Sequence, residues 1–383
     1  MSKKKYWIET YGCEMNKAES AALCLQLDST QWYPADTPLE ADVILINTCT
    51  VRKTAEDRIW GRLGELSAVK KKNNSLLFVF GCLAQHLQEK IIEYYPAVDA
   101  VIGNFEKQKL IEHLSNNITA YKGTFTENQA YEFYNSYSQQ YKNHTYIPIM
   151  HGCNNYCTYC IVPYVRGPEV SRAPERILSE IRTIANSSIK EITLLGQNVN
   201  SYSSKDNNGN TILFPELLRR IAEENISIEW IRFLTSHPKD LSDALIKVMS
   251  REDKICKHLH LPFQSGSNDV LTRMNRGYSK EEYLKKIKKI KQAIPDITLS
   301  TDIMVGFPGE TEADFTETLD LVEKVGFIDA FTYKYNPRKG TVSSGWEDTV
   351  SESVKTQRLQ RLIALQRSLS LQMKRQKIGT TVN

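Results

Sequence analysis

Apolar, β-rich runs recur along the first hundred residues, at Tyr6–Thr10, Val43–Ile46, Leu76–Phe80 and Val98–Ile102. Between them the apolar positions return with helical spacing near 15–28, 52–71 and 83–94, and again at 105–114. Strand–helix alternation with short connections predicts an α/β domain over residues 1–123, built on an open, doubly wound parallel sheet. Residues 124–145 are polar and aromatic without a clear period, and they read as a linker whose tyrosines pack against the flanking domains. From 146 the alternation resumes, with strands near 146–150, 191–195, 228–234, 257–261, 297–303 and 328–334. Helices are expected near 173–186, 214–224, 239–249, 280–293 and 311–325. Six such units are too few to close an eight-stranded barrel, so residues 146–350 predict a partial one. A basic helix over 351–377 follows, and then the final residues 378–383.

In open α/β sheets and barrels ligands bind beyond the carboxyl ends of the strands, and the unusual residues of this chain fall there. Cys13 ends the first run in Tyr11-Gly12-Cys13, Cys49 ends the second in Asn47-Thr48-Cys49, and Cys82 ends the third after Gly81. Core cysteines would scatter, whereas three thiols at one sheet edge suit a three-thiolate iron–sulfur cluster. Glycines before Cys13 and Cys82 allow backbone to turn sharply beside an inorganic core. A second set, Cys153-x₃-Cys157-x₂-Cys160, follows the apolar run Tyr146–Met150. Three ligands are one short of a closed zinc site, while a cubane held by three thiolates keeps one iron open to a small molecule. Zinc with a distant fourth ligand is the alternative. Other strand ends carry Gly196-Gln197-Asn198, Thr235-Ser236-His237-Pro238, His260 to Gly266, Asp302 and Gly306 to Thr311. Singly these read as turns, helix starts or satisfied polar groups such as His258 and His260. Together they ring one mouth, which favours a ligand site.

Composition adds limits rather than a function. With 383 residues, 41% hydrophobic and 25% charged, the chain is long enough for two domains with real cores. No apolar run approaches the ~18 residues of a membrane span. The basic start, Met1 to Lys5, is followed by Glu9 and Glu14 rather than an apolar leader segment. A cytoplasmic protein with eight reduced cysteines is expected, Cys24 and Cys256 serving as packing residues. A net charge of +4 does not point to nucleic acid, but residues 351–377 carry seven cations against Glu352. That face could track a phosphate backbone, or it is a solvated helix surface.

The cysteine spacing resembles the signature of radical S-adenosylmethionine (SAM) enzymes, and Cys13, Cys49 and Cys82 ahead of it resemble the methylthiotransferase branch. The likeness extends through Asn47 to Arg52 with Ala55-Glu56, and through Gly81 to Gln85. It continues in Val162 to Arg172, Leu194 to Asn200 and the Gly306–Thr311 turn. Within that branch the pattern is most similar to the tRNA methylthiotransferases acting on isopentenyl-adenosine beside the anticodon. Two departures stand out. Glu14 occupies a position where the family usually has Gln. Residues 378–383 look like the first strand of the family's small C-terminal RNA-binding β-barrel, so the expectation is that this barrel is either essentially absent or cut off from the sequence.

The resemblance implies a doubly wound (flavodoxin-like) sheet followed by a partial (β/α)6, TIM-like radical SAM barrel. It implies two [4Fe-4S] clusters, on Cys13, Cys49 and Cys82 (auxiliary) and on Cys153, Cys157 and Cys160 (radical SAM), with all six cysteines catalytic. SAM would bind the open iron of the second set. Tyr159 would lie against its adenine, Gly196 and Gln197 near its methionine end, and Gln264 and Asp302 would make polar contacts. One SAM would methylate the sulfur to be donated. A second would yield the 5′-deoxyadenosyl radical that abstracts the ring hydrogen between the pyrimidine nitrogens of the adenine, and both clusters would face one cavity. Arg166, Arg172, Arg276 and Arg338 would contact tRNA phosphates. The implied partners are tRNA bearing isopentenyl-adenosine, a low-potential electron donor and an iron–sulfur or sulfur supply protein, with no membrane and a monomeric chain. The alternatives are a ribosomal-protein side chain or another modified tRNA adenosine as substrate, and, more distantly, a non-catalytic iron–sulfur RNA-binding protein.

Overall fold

The computed structural model of the chain describes residues 4–30, 32–50, 53–115, 121–122, 131–135, 143–224 and 227–379. The chain forms two compact units. One comprises Met1–Asn154 with Ile161–Gly196, the other Asn155–Cys160 with Gln197–Asn383.

In the first unit, β1 (Lys4–Thr10), α1 (Glu14–Asp28), β2 (Trp32–Pro34), β3 (Val43–Thr48), α2 (Lys53–Asn73), β4 (Leu76–Gly81), α3 (Cys82–Leu87), α4 (Lys90–Tyr94), β5 (Ala100–Ile102), α5 (Lys107–Ser115) and β6 (Tyr121–Lys122) follow one another. The strands form one parallel sheet in the order β2-β1-β3-β4-β5-β6. β3 is buried along its whole length, which explains its continuous apolar run: helices cover both faces. Ile44, Ile46, Leu77 and Val79 join Ile59 and Leu63 of α2 on one face. Val43, Leu45, Phe78 and Phe80 join Leu23 and Leu27 of α1 and Leu110 of α5 on the other. The expected doubly wound sheet is therefore present, and its order over the first five strands is the flavodoxin-like one, reversing between β1 and β3.

The expected helix over 83–94 is broken at Gln88, whose φ of 51° interrupts it between α3 and α4. β7 (His144–Pro148) follows, then β8 (Met150–His151), α6 (Val162–Arg166), β9 (Val170–Ser171), α7 (Pro174–Ala185) and β10 (Glu191–Leu195). β7 pairs in parallel with β10, and β8 with β9 in antiparallel fashion. Of the expected linker, Tyr131–Asn135 packs within this unit, with the Tyr131 ring stacked 3.5 Å from His151. Residues 124–130 and 136–142 lie outside the described residues, as do Val51 and Arg52 of the second cysteine motif.

The second unit contains the hairpin β11 (Ser203–Lys205) and β12 (Thr211–Leu213), α8 (Phe214–Glu223), β13 (Trp230–Phe233), α9 (Asp243–Arg251), β14 (His258–His260), α10 (Asn268–Arg273), α11 (Lys280–Ala293), β15 (Thr298–Val305), α12 (Glu312–Val325), β16 (Asp329–Lys334) and α13 (Glu352–Gln376). β14, β15 and β16 form a parallel sheet. All six strand positions expected for the partial barrel are strands. Capping boxes at Ser279/Glu282 and Thr311/Asp314 fix the starts of α11 and α12.

α13 corrects one expectation. Its cations do not all face solvent. Lys355 and Arg358 are buried, Lys355 pairing with Asp348 and Arg358 with Glu310, while Arg361 pairs with Glu312. Part of the basic surplus thus anchors the helix to its own unit, leaving Arg367, Lys374 and Arg375 exposed. Ile378 and Gly379 close the helix in a turn, and residues 380–383 of the expected barrel strand lie outside the described residues.

Candidate metal centres

The first thiol set stands at the point where the strand order reverses. Cys13 caps α1 after β1, Cys49 follows β3, and Cys82 starts α3 directly from β4. Backbone pairing places Thr10 opposite Asn47 and Thr48 opposite Gly81, so the three thiols leave neighbouring strand ends. Side chains bolt those ends together. Asn47 Nδ2 donates to Asn16 O and Ser20 Oγ, both at 2.9 Å, and Asn16 Nδ2 donates to Thr48 O at 2.9 Å. Thr48 Oγ1 donates to Phe80 O at 2.6 Å. Asn104 Nδ2 lies 3.6 Å from Cys82 Sγ and donates to Val165 O at 2.8 Å. Cys13 Sγ lies 3.3 Å from Asn16 Oδ1. Cys13 is exposed, whereas Cys49 and Cys82 are buried.

Beside this set lies a charged interior hub. Arg166 Nη1 donates to Glu19 at 2.8 Å and contacts His151 Nδ1 at 3.2 Å, and its Nη2 donates to Asn16 Oδ1 at 3.0 Å. Lys107 Nζ stands 2.7 Å from the other Glu19 oxygen, and Tyr131 OH donates to Glu19 at 3.1 Å. Burial alone would raise the Glu19 carboxyl, but Arg166 and Lys107 outweigh it and hold it well below its usual range. Burial, then Arg166, pushes His151 down, so its imidazole is neutral.

Gly81 is required by this geometry. Its φ is +98°, and a Cβ there would sit 2.4 Å from Asn47 Oδ1 and 2.7 Å from Thr48 O. Gly81→Ala is expected to cost about 1–3 kcal/mol from backbone strain alone and to displace Cys82. Iron analysis after anaerobic reconstitution should then show loss of about half the bound iron, since the Cys153–Cys160 set is untouched.

The second thiol set lies in the loop between β8 and α6. Gly152 has a φ of +81°, and a Cβ there would fall 2.0 Å from Pro168 O. The Cys153 N–H donates to Gly167 O at 3.2 Å. In the other unit, residues 155–160 are held by the end of α10. Thr158 donates through N to Met274 O and through Oγ1 to Arg273 O. Asn275 Nδ2 donates to Tyr156 O at 3.1 Å. Cys157 is buried and Cys160 partly exposed. Tyr159 meets Phe307 edge-on at 6.4 Å.

Of the other expected cofactor residues, Gly196 is buried and Gln197 partly exposed at the end of β10. Gln264 and Asp302 are adjacent. The Gln264 N–H donates to Asp302 O at 3.0 Å, with Gln264 at φ +68°. The Asp302 carboxylate lies 3.6 Å from His260 Nε2. His258 bonds Thr298 and Ser300, His260 bonds Ser300, and His237 Nδ1 accepts from the Lys239 N–H at the start of a short 3₁₀ turn.

Three of the four arginines assigned to phosphates are corrected. Arg166 and Arg172 are each 2% exposed and Arg276 5%. Arg172 pairs with Glu180, Arg166 with Glu19, and Arg276 contacts Cys157 Sγ and Pro262 O. Guanidiniums enclosed and committed in this way are not presented to a phosphate backbone. Arg338 is partly exposed. The sequence reading also missed Asn16, Asn104 and the end of α10. For α10, the signal was Ser267 as an N-cap and Asn275 in the left-handed conformation just beyond the helix.

All eight cysteines are free thiols. Among the described residues no three His, Cys, Asp or Glu side chains converge so as to hold a single metal ion. A cubane distributes its ligands over separate irons, so six thiols in two sets of three, with backbone and amide donors near them, fit two such clusters.

A family model described as the radical SAM superfamily matches residues 147–322, and one described as uncharacterized protein family UPF0004 matches residues 5–103. Among solved structures, the radical SAM methyltransferase TsrM from Kitasatospora setae, with cobalamin and a [4Fe-4S] cluster bound, has a TM-score of 0.67 at 13% identity. The likeness covers 90% of this chain and 77% of that one, and is one of fold. Among curated proteins, the tRNA-2-methylthio-N(6)-dimethylallyladenosine synthase of Treponema pallidum (strain Nichols) is 45% identical, over 98% of this chain and 86% of its own length. The synthase of the same name from Treponema denticola is 46% identical over 99% and 87%, and that of Finegoldia magna 45% over 98% and 82%. The chain therefore belongs to the radical SAM family whose curated members are named tRNA-2-methylthio-N(6)-dimethylallyladenosine synthases.

Proposed function

We propose that this chain adds a methylthio group to the ring carbon between the pyrimidine nitrogens of isopentenyl-adenosine in tRNA, next to the anticodon. The observation that carries the reading is the pairing of two separate three-thiol sets in one chain whose near-full-length relatives are synthases of that product. Cys13, Cys49 and Cys82 would hold one [4Fe-4S] cluster, and Cys153, Cys157 and Cys160 the other. When bound, these clusters and SAM supply the electron, the 5′-deoxyadenosyl radical, the methyl group and the sulfur.

The chain's own part is position and exclusion. β1, β3 and β4 fix three thiols at one sheet edge, and the end of α10 fixes the loop that carries Cys157 and Cys160. Phe307 gives Tyr159 an edge contact that orients its ring for an adenine. Gln264, held through the backbone to Asp302, and Gly196 with Gln197 are assigned to SAM. Arg338 alone of the four arginines is retained as a phosphate contact. No described helix is long and apolar enough to cross a membrane, and a cytoplasmic, monomeric enzyme served by a low-potential electron donor and a sulfur or iron–sulfur supply protein completes the proposal.

The test is incubation of anaerobically reconstituted protein with SAM, a low-potential reductant and isopentenylated tRNA, followed by nucleoside mass spectrometry. A methylthio-isopentenyl-adenosine peak is expected. Release of deoxyadenosine without that peak would move the substrate elsewhere, and release of neither would sink the radical reading.

A further inference from the structure

Arg276 is a buried cation without a carboxylate. It is 5% exposed, and among the described residues none of its partners is acidic. Nε faces Tyr278 OH at 3.2 Å, Nη2 donates to Pro262 O at 2.8 Å, and Nη1 lies 3.4 Å from Cys157 Sγ. The guanidinium also lies over the Tyr278 ring, 5.4 Å from its centre. Burying an arginine away from a counter-ion is costly, and a fold retains such a charge where an anion is to be met. Among its partners in the described residues, the Tyr278 phenol is pushed up by burial, so the Cys157 sulfur, as a metal-bound thiolate, is the partner that ordinary chemistry makes anionic.

Its position is not incidental to a flexible side chain. α10 ends in a Schellman motif: Asn275 takes a φ of 57°, its N–H donates to Thr272 O at 3.0 Å, and the Arg276 N–H donates to Leu271 O at 3.0 Å. The same helix end binds the thiol loop through Met274 O, Arg273 O and Asn275 Nδ2. One short element therefore sets both the loop bearing Cys157 and the cation facing its sulfur, so their separation is fixed by backbone.

We propose that Arg276 is a positioning residue for the cluster held by Cys153, Cys157 and Cys160, donating Nη1–H to the Cys157 thiolate and raising the reduction potential of that cluster. The proposal rests on the assignment of Cys157 as a cluster ligand. The physical reason is simple. Reduction would add one electron, supplied by a low-potential donor, to an anionic group whose ligand Cys157 is buried. A fixed guanidinium and a hydrogen bond to the ligand sulfur stabilise the added charge.

The experiment uses the full chain carrying Cys13→Ala, Cys49→Ala and Cys82→Ala, so that one cluster reports. Reduced cluster is measured by electron paramagnetic resonance during an anaerobic potentiometric titration, with iron counted separately. Arg276→Gln is expected to lower the reduced-to-oxidised ratio at fixed potential about tenfold, a midpoint about 59 mV more negative for one electron. Arg276→Lys keeps the charge but not the fork, and should shift the ratio less, in the same direction. An unchanged ratio in Arg276→Gln at full iron content overturns the proposal alone. Failure of the unaltered loop to assemble any cluster overturns the methylthiotransferase reading with it. Should Arg276→Gln lose its iron, return of iron in Arg276→Lys with unchanged circular dichroism supports the proposal, and loss in both overturns it.

Discussion

Cys157→Ala is expected to abolish both deoxyadenosine release and methylthiolation, whereas Cys82→Ala should abolish methylthiolation and leave deoxyadenosine release standing. The split follows from the placement of the two sets. Cys157 lies in the loop tied to α10, where the family signature stands, and removing it deletes one of three ligands from an arrangement with no fourth thiol to substitute. Cys82 begins α3 at the far end of β4 and touches Ile161 and Val165, so its loss empties the sheet-edge site alone. Both products can be quantified by liquid chromatography from one reaction. Equal loss of deoxyadenosine in the two variants would mean that the sheet-edge site is needed for radical formation, contrary to that division of labour. Cys24→Ala is the control: Cys24 is buried among Leu23, Leu27 and Trp32, far in role from either set, and should leave both products intact at a modest cost in stability.

The second large effect concerns Glu19. Glu19→Ala should destabilise the chain by about 3–5 kcal/mol, because it strands the buried Arg166 beside the partly buried Lys107. Arg166→Ala should cost less, since Glu19 keeps Lys107 at 2.7 Å. Urea unfolding of the two variants reads the difference, and equal midpoints would contradict the pairing described. The hub also sets an acid limit. The carboxyl is held below its usual 4.5 in the folded chain, so the unfolded chain binds the proton more readily. Its stabilisation is complete above that pH and is lost as pH falls towards the folded value, at up to about 1.4 kcal/mol per pH unit. His151, Arg166, Lys107 and Tyr131 all face the group. Glu19→Gln should remove that slope below pH 4.5, which a series of acid titrations monitored by circular dichroism would register.

The sheet and the two thiol sets were legible because their signals are local. A strand covered on both faces reads as an unbroken apolar run, as β3 and β4 do, and a cysteine ending such a run declares its place at the sheet edge. The edge strands β2 and β6 were not legible: they have three and two residues, too few for alternation to show, and Pro34 ends one of them. α10, with six residues, is equally too short for a period. The arginines failed for a different reason. Composition counts a cation without revealing its burial, and the partner that encloses Arg166, Glu19, lies 147 positions away in the chain. Arg276 looked like a surface charge until the end of α10 placed it against Cys157.

The separation of the ligands along the chain has a bearing on how the protein is made. Cys153, Cys157 and Cys160 fall within eight consecutive residues, whereas Cys13, Cys49 and Cys82 are spaced by 36 and 33 positions and meet only because β1, β3 and β4 are neighbours. The first kind of site is local in sequence, although in the folded chain the end of α10, 115 positions beyond Thr158, holds its loop. The second does not exist in an unfolded chain, so any binding energy gained there is also folding energy, and it ties together segments that would otherwise separate freely. Formation of the sheet-edge site is thereby tied to topology. Were a cluster to be held at the sheet edge, it could be inserted only after the three strands had found one another.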